Sequence, residues 1–102
     1  MLSSELAEHI VRETMSRLNR NINIMDAEGT ILASGIRERV GERHAAAAEA
    51  VLRGETIAIE PGDRRMRDGV QPGINMPIVF RGRVVGAIGI TGLPEEVAEF
   101  AE

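Results

Sequence analysis

The chain has 102 residues, 43% of them hydrophobic, and a formal net charge of −4, so one domain with a sizeable core is expected and a nucleic-acid footprint within this segment is not. It has no cysteine, which excludes a disulfide framework, a thiol nucleophile and a thiolate metal site. All twelve basic residues are arginine and only Phe80 and Phe100 are aromatic; this removes Schiff-base chemistry, the P-loop lysine and a stacking pocket for flavin, haem or nucleobase, and leaves a small, aliphatic, oxygen-rich ligand with no cofactor as the best fit.

The N-terminus, Met1 to Glu5, lacks the basic start and apolar core of a signal peptide. No apolar run approaches the roughly 20 residues of a membrane span, so a cytoplasmic protein without a membrane partner is expected. Leu6, Ala7, Ile10, Val11, Thr14, Met15 and Leu18 recur at helical spacing, with Ser3 or Ser4 as cap. This stripe needs a cover, either the sheet or the same helix of a second copy, and a homodimer through it is the expectation. Asn21 to Met25 alternates as a strand, Asp26 to Gly29 turns, and Thr30 to Ser34 returns as the second arm of a hairpin. Glu42 to Arg53, with four consecutive alanines, predicts a helix stopped by Gly54. Glu55 to Glu60 is a short strand, and the polar stretch 61–72 is a flap or a short helix.

Gly73 to Phe80 and Arg83 to Thr91 form the clearest hairpin, turning at Arg81-Gly82. With Phe80 opposite Arg83, unbroken pairing sets Ile78 against Val85 and Met76 against Ala87. It sends Thr91 to the face opposite Asn75, and only a bulge would change that. Pro77 suggests an edge position or a bulge, and Pro94-Glu95-Glu96 starts a last helix that runs to the end of the chain. The order is that of an α+β fold: an antiparallel sheet of about five strands with flanking helices, PAS-like or GAF-like, with a profilin-like domain of another purpose as the alternative.

The chemistry concentrates between Ser34 and His44. Two glycines, three arginines and a histidine stand there between a strand and a helix start. Helix N–H groups from about Gly41 onward and an arginine fork suit a carboxylate, while a solvated polar loop is the plain alternative. Arg37, Arg39 and Arg43 are the candidates for that fork. His44 either donates to a bound anion or merely opens the helix. It has no second ligand at metal spacing and no nucleophile beside it. If His44 donates as a cation, binding strengthens as pH falls from about 8 towards 6. Asn75 places an amide in an apolar strand, where it bonds backbone or faces a pocket.

Taken together, Ala7 to Thr14, Asn21-Ile22-Asn23-Ile24-Met25-Asp26, Ser34-Gly35 followed by Glu38 to His44, Gly73-Ile74-Asn75-Met76-Pro77 and Val85 to Gly92 resemble the sugar-diacid recognition domain, the N-terminal sensor of bacterial carbohydrate-diacid regulators. The resemblance covers nearly the whole chain. It implies a single PAS-like sensor domain over residues 1–102, a piece of a longer transcriptional regulator, and no enzyme. The implied ligand is a small sugar acid or hydroxy acid such as glycerate, glucarate or galactarate. DNA would be met only through a C-terminal helix-turn-helix region absent from this chain. Related extracytoplasmic sensors of citrate and C4-dicarboxylates use an Arg and a His in the stretch that Arg39 and His44 occupy here. The implied contacts are Ser34, Arg39, Gly41, His44 and Asn75. The segment 61–71 follows the family least well. A dimerisation or interaction module without a functional pocket is the competing reading.

Overall fold

The computed structural model describes residues 2–97. Ser3 Oγ accepts a hydrogen bond from the Leu6 N–H at 3.1 Å, and so starts helix α1 (Ser4–Met15). Strands β1 (Ile22–Asp26) and β2 (Ile31–Ser34) flank a turn. Its Asp26 carboxylate accepts from the N–H groups of Glu28 and Thr30. A 3-10 turn over Arg37–Arg39 leads to helix α2 (Ala45–Arg53), which Gly54 ends in a left-handed conformation. Strand β3 (Ile57–Ile59), a second 3-10 turn (Arg64–Asp68), β4 (Gly73–Phe80), β5 (Arg83–Thr91) and α3 (Pro94–Val97) follow. The rest of the expected last helix, Phe100 included, lies outside the described residues.

The strands form one antiparallel sheet in the order β2-β1-β5-β4-β3. Alternation divides the side chains between two faces. Ile22, Ile24, Ile74, Ile88 and Ile90 pack with Ala7 and Val11 of α1 and with Val97. On the other face Met25, Ile31 and Ala87 meet Ala47 of α2, while Ile57, Ile59 and Val70 meet Ala46 and Ala50. The run of alanines lets α2 lie close to the sheet, and its N-terminus comes down over the middle of that face.

The β4–β5 register departs from the expectation. Phe80 does pair with Arg83 and Val79 with Val84, but Ile78 pairs with Gly86, Met76 with Ile88, Asn75 with Gly89 and Gly73 with Thr91. Val85 is the extra residue of a bulge, and from there inward the partner of every β4 residue moves by one. Unbroken alternation would have put Val85 under Ile78; the bulge instead keeps Ile88 and Ile90 on the α1 face. It also brings Thr91 to the same face as Asn75. Pro77 is tolerated because β3 has three residues and begins opposite Asn75, so the outer side of β4 has no ladder to lose there.

Helix α2 begins later than Glu42, because the residues before it are zipped onto the hairpin. The N–H groups of Gly41, Glu42 and His44 donate to the carbonyls of Ile31, Arg39 and Gly29, and the Ile31 N–H donates to the Glu42 carbonyl. The stretch 61–72 takes the second of its two expected forms, a short helix, here the 3-10 turn Arg64–Asp68. Its 3-10 turn is tied to α2 by Arg65, whose Nε and Nη2 donate to the two oxygens of Glu49 at 2.8 Å each, with Nη1 on Asp63 at 2.7 Å.

Candidate functional site

Three polar residues are fully buried among those described: Asn23, His44 and Asn75. All three line one crevice between the sheet and the start of α2, together with Arg39, Gln71, Pro72, Gly73, Gly89 and Thr91. Burying a polar side chain costs free energy unless it is hydrogen-bonded, and proteins seldom collect several buried polar side chains in one place without a use for them.

Register and capping explain the convergence. Asn23 pairs with Gly89 on β5, and Gly89 with Asn75 on β4, so two amides flank a glycine on the α2 face. A Cβ at Gly89 would stand 2.8 Å from Asn75 Oδ1; the missing side chain makes room for the amide. Thr91 lies two residues further along the same face. His44 is the N-cap of α2. Its Nδ1 accepts from the Ala47 N–H at 3.2 Å, which places the ring proton on Nε2 and leaves that nitrogen as a donor. Burial, aided by the charge of Arg39, lowers the His44 pKa to about 4. The imidazole is therefore neutral throughout the range in which the sequence suggested a cation. It offers a neutral N–H, and the expected strengthening of binding between pH 8 and 6 loses its basis.

Arg39 sits at the end of the first 3-10 turn with its side chain 17% exposed, held among the described residues only by a 3.5 Å contact from Nε to Glu42. Arg37, at the start of that turn, lines a different cleft on the α1 side with Glu8, Arg12 and Val40. The two arginines point apart. The Asn75 amide has no hydrogen-bond partner among the described residues. Asn23 Oδ1 accepts from Asn21 Nδ2 at 3.1 Å and from Ser34 Oγ at 2.5 Å, which leaves its own Nδ2 to the crevice.

Ser34 and Gly41 stand elsewhere. The Ser34 hydroxyl donates to Asn23 and accepts from the Ile36 N–H at 3.0 Å, so it lies behind Asn23 and not in the crevice. Gly41 is exposed with φ at +95°, and its N–H is engaged by Ile31. Its part is to turn the chain, and the anion-binding N–H run imagined from Gly41 onward does not exist there. Asn23, Gln71 and Thr91 are the lining residues that sequence reasoning passed over. Asn23 carried the same signal as Asn75, an amide in an apolar alternation. Thr91 was hidden by the bulge, and nothing local marked Gln71. Among the described residues no three of His, Cys, Asp or Glu gather as a metal set, and no helix is long and apolar enough to cross a membrane.

A family described as "Putative sugar diacid recognition" matches residues 2–102. The chain belongs to this family. It is 42% identical to the carbohydrate diacid regulator of Escherichia coli over 99% of its length, and 33% identical over 95% to the uncharacterized protein YsfB of Bacillus subtilis. It spans 26% of each of these relatives. Two solved structures share the fold: the GAF domain of an Acinetobacter phosphoenolpyruvate-protein phosphotransferase and the sensor domain of the Vibrio cholerae histidine kinase DctB. The TM-scores are 0.68 and 0.62, at 16% and 14% identity, covering 99% and 95% of this chain and 76% and 40% of theirs. The sugar diacid recognition fold seen here is thus α+β and GAF/PAS-like, as its element order suggested.

Proposed function

We propose that this domain is the ligand sensor of a cytoplasmic transcriptional regulator and binds a small sugar acid or hydroxy acid, of the glycerate, glucarate or galactarate type, in the crevice beneath α2. It performs no catalysis. DNA is met by a region outside this chain, and the sensor works where that DNA is. The observation that carries the reading is the convergence of all three buried polar residues with a weakly tethered arginine on one crevice.

Each group has a task. Arg39 presents two parallel N–H donors to a carboxylate. His44 adds the neutral Nε2–H, and the Asn75 and Asn23 amides with the Thr91 hydroxyl offer donors and acceptors to ligand hydroxyls. Ser34 holds the Asn23 amide in orientation, and Gly41 shapes the approach of Arg39. In this conformation the crevice measures about 10 Å³, room for about one water. A sugar acid therefore requires a wall to move. Arg39 is the mobile wall, because its only tether among the described residues is the long contact with a Glu42 side chain that is itself 58% exposed.

Titration calorimetry with glycerate, glucarate and galactarate tests this, alongside thermal shift; a ligand at 100 times its Kd adds about 2.7 kcal/mol of stability. Arg39→Ala should lose about 1.5–3 kcal/mol of binding, roughly ten- to a hundredfold, while fold stability changes by less than about 1 kcal/mol. Arg39→Lys should also bind poorly, since an ammonium lacks the fork. Arg37→Ala should bind normally. If Arg37→Ala weakens binding and Arg39→Ala does not, the crevice is not the site.

A further inference from the structure

We infer that the apolar groove between α1 and the tip of the β4–β5 hairpin is the contact between two copies of this domain, arranged about a two-fold axis that crosses α1. The groove encloses about 540 Å³ and is lined by Leu2, Leu6, Ile10, Ile78, Phe80 and Val85. It lies on the face of the sheet away from the polar crevice. The hairpin outruns the helix that covers it: β4 goes from buried at Gly73 to exposed at Phe80, and Leu6 and Phe80 are 50% and 61% exposed. Isolated exposed apolar residues need no account, but a continuous apolar groove of this size marks a docking surface.

The occupant follows from the charges at its two ends. Residues 6, 10 and 13 fall along one line of the α1 surface, and Leu2 stands just ahead of the helix, so the strip reads half-buried Leu2, exposed Leu6, half-buried Ile10 and then exposed Glu13. At the opposite end, beside the start of the helix, stand Arg81 and Arg83 of the hairpin tip. None of Glu13, Arg81 and Arg83 has an ion-pair partner among the described residues. An apolar centre with one acidic and one basic end is complementary to itself when turned by two-fold rotation, which is the requirement of an isologous contact. Leu6 and Ile10 then cross their own copies at the centre, and Arg83 of each protomer reaches Glu13 of the other.

Sedimentation velocity on the 102-residue chain, from low to high micromolar concentration, reads the result. Twice the 11.1 kDa chain mass is expected. Leu6→Glu and Phe80→Glu should each weaken self-association about thirtyfold or more, the loss that a central apolar anchor carries; both sites are exposed, and circular dichroism verifies folding. The charge reversals Glu13→Arg and Arg83→Glu should each weaken the dimer when alone, since each sets like charges face to face at both ends. Mixing the two variants should restore dimers, and so should combining both changes in one chain. A monomer at every concentration overturns the proposal. So does a dimer indifferent to Leu6→Glu and Phe80→Glu, or a mixture of the charge variants that stays monomeric.

Discussion

His44 makes the stability of this domain depend on pH in a window where carboxylates are silent. Its pKa is about 4 in the folded protein, against about 6.5 for an unperturbed imidazole in the unfolded chain. The unfolded state therefore binds more protons between these values, and stability falls as pH is lowered. The contribution is nearly complete above pH 6.5 and is lost as pH falls towards the folded pKa. Between pH 7 and pH 5 the two titration curves give a loss of about 2 kcal/mol. For a domain this size that lowers the melting temperature by on the order of 10 °C. The physical cause is double: a buried cation would be poorly solvated, and it would face the charge of the Arg39 guanidinium. The assay is calorimetric melting at half-unit pH steps from 7.5 to 5, on the native chain and on His44→Asn, which caps without titrating. The native curve should slope and the variant should be flatter by that amount. Equal slopes would mean that the imidazole is not buried and neutral, and the electrostatic account of the site would fail with it.

The same arrangement predicts that Arg39→Ala raises the His44 pKa towards its ordinary value, because the guanidinium charge is one of its two depressing causes; an NMR titration of the His44 ring reads this without any ligand. Gly89→Ala should cut affinity for the acid ligand about tenfold or more, since a methyl 2.8 Å from Asn75 Oδ1 must displace the amide; unchanged calorimetric affinity would remove Asn75 from the site. Arg65→Ala should cost about 1 kcal/mol in denaturant unfolding and let trypsin cut faster at Arg64 and Arg67, because the fork onto Glu49 is what ties that turn to α2. That fork holds the Glu49 carboxyl below its usual range, so its contribution is present near neutral pH and is lost in acid as Glu49 protonates.

Much of the fold was readable because its signals are local. The helical stripe from Leu6 to Leu18, the alternation at Ile22 and Ile24 and the Arg81-Gly82 turn each carry their own period or turn chemistry, and their order already suggests a sheet with helices on both faces. What failed was whatever depends on a partner. The Val85 bulge has no signature in a run of β-branched and small residues, and it decides which way Thr91 faces. The start of α2 was misjudged because Gly41 to His44 finds its hydrogen bonds in the β1–β2 hairpin and not in the helix. The protonation of His44 rests on burial, which no residue type announces. Arg39 and Asn75 were legible as chemistry out of place, a guanidinium at a corner and an amide in a strand. That Gln71 meets them is a consequence of the second 3-10 turn and its tether to Glu49, both tertiary.

The bulge at Val85 also sets what lengths the β4–β5 hairpin can take over evolutionary time. Shortening or lengthening both arms together on the turn side of the bulge alters the tip around Phe80 and Arg83 but leaves the pairing of Asn75 with Gly89 intact. Gaining one residue between Val85 and Gly89 does the opposite. It would turn Ile88 and Ile90 onto the polar face and Gly89 and Thr91 into the apolar core, reversing both at once. The outer part of the hairpin is thus open to drift in length, while the inner part admits substitution but no single insertion. Two surfaces on one pair of strands can in this way diverge at different rates, with one odd residue as the boundary between them.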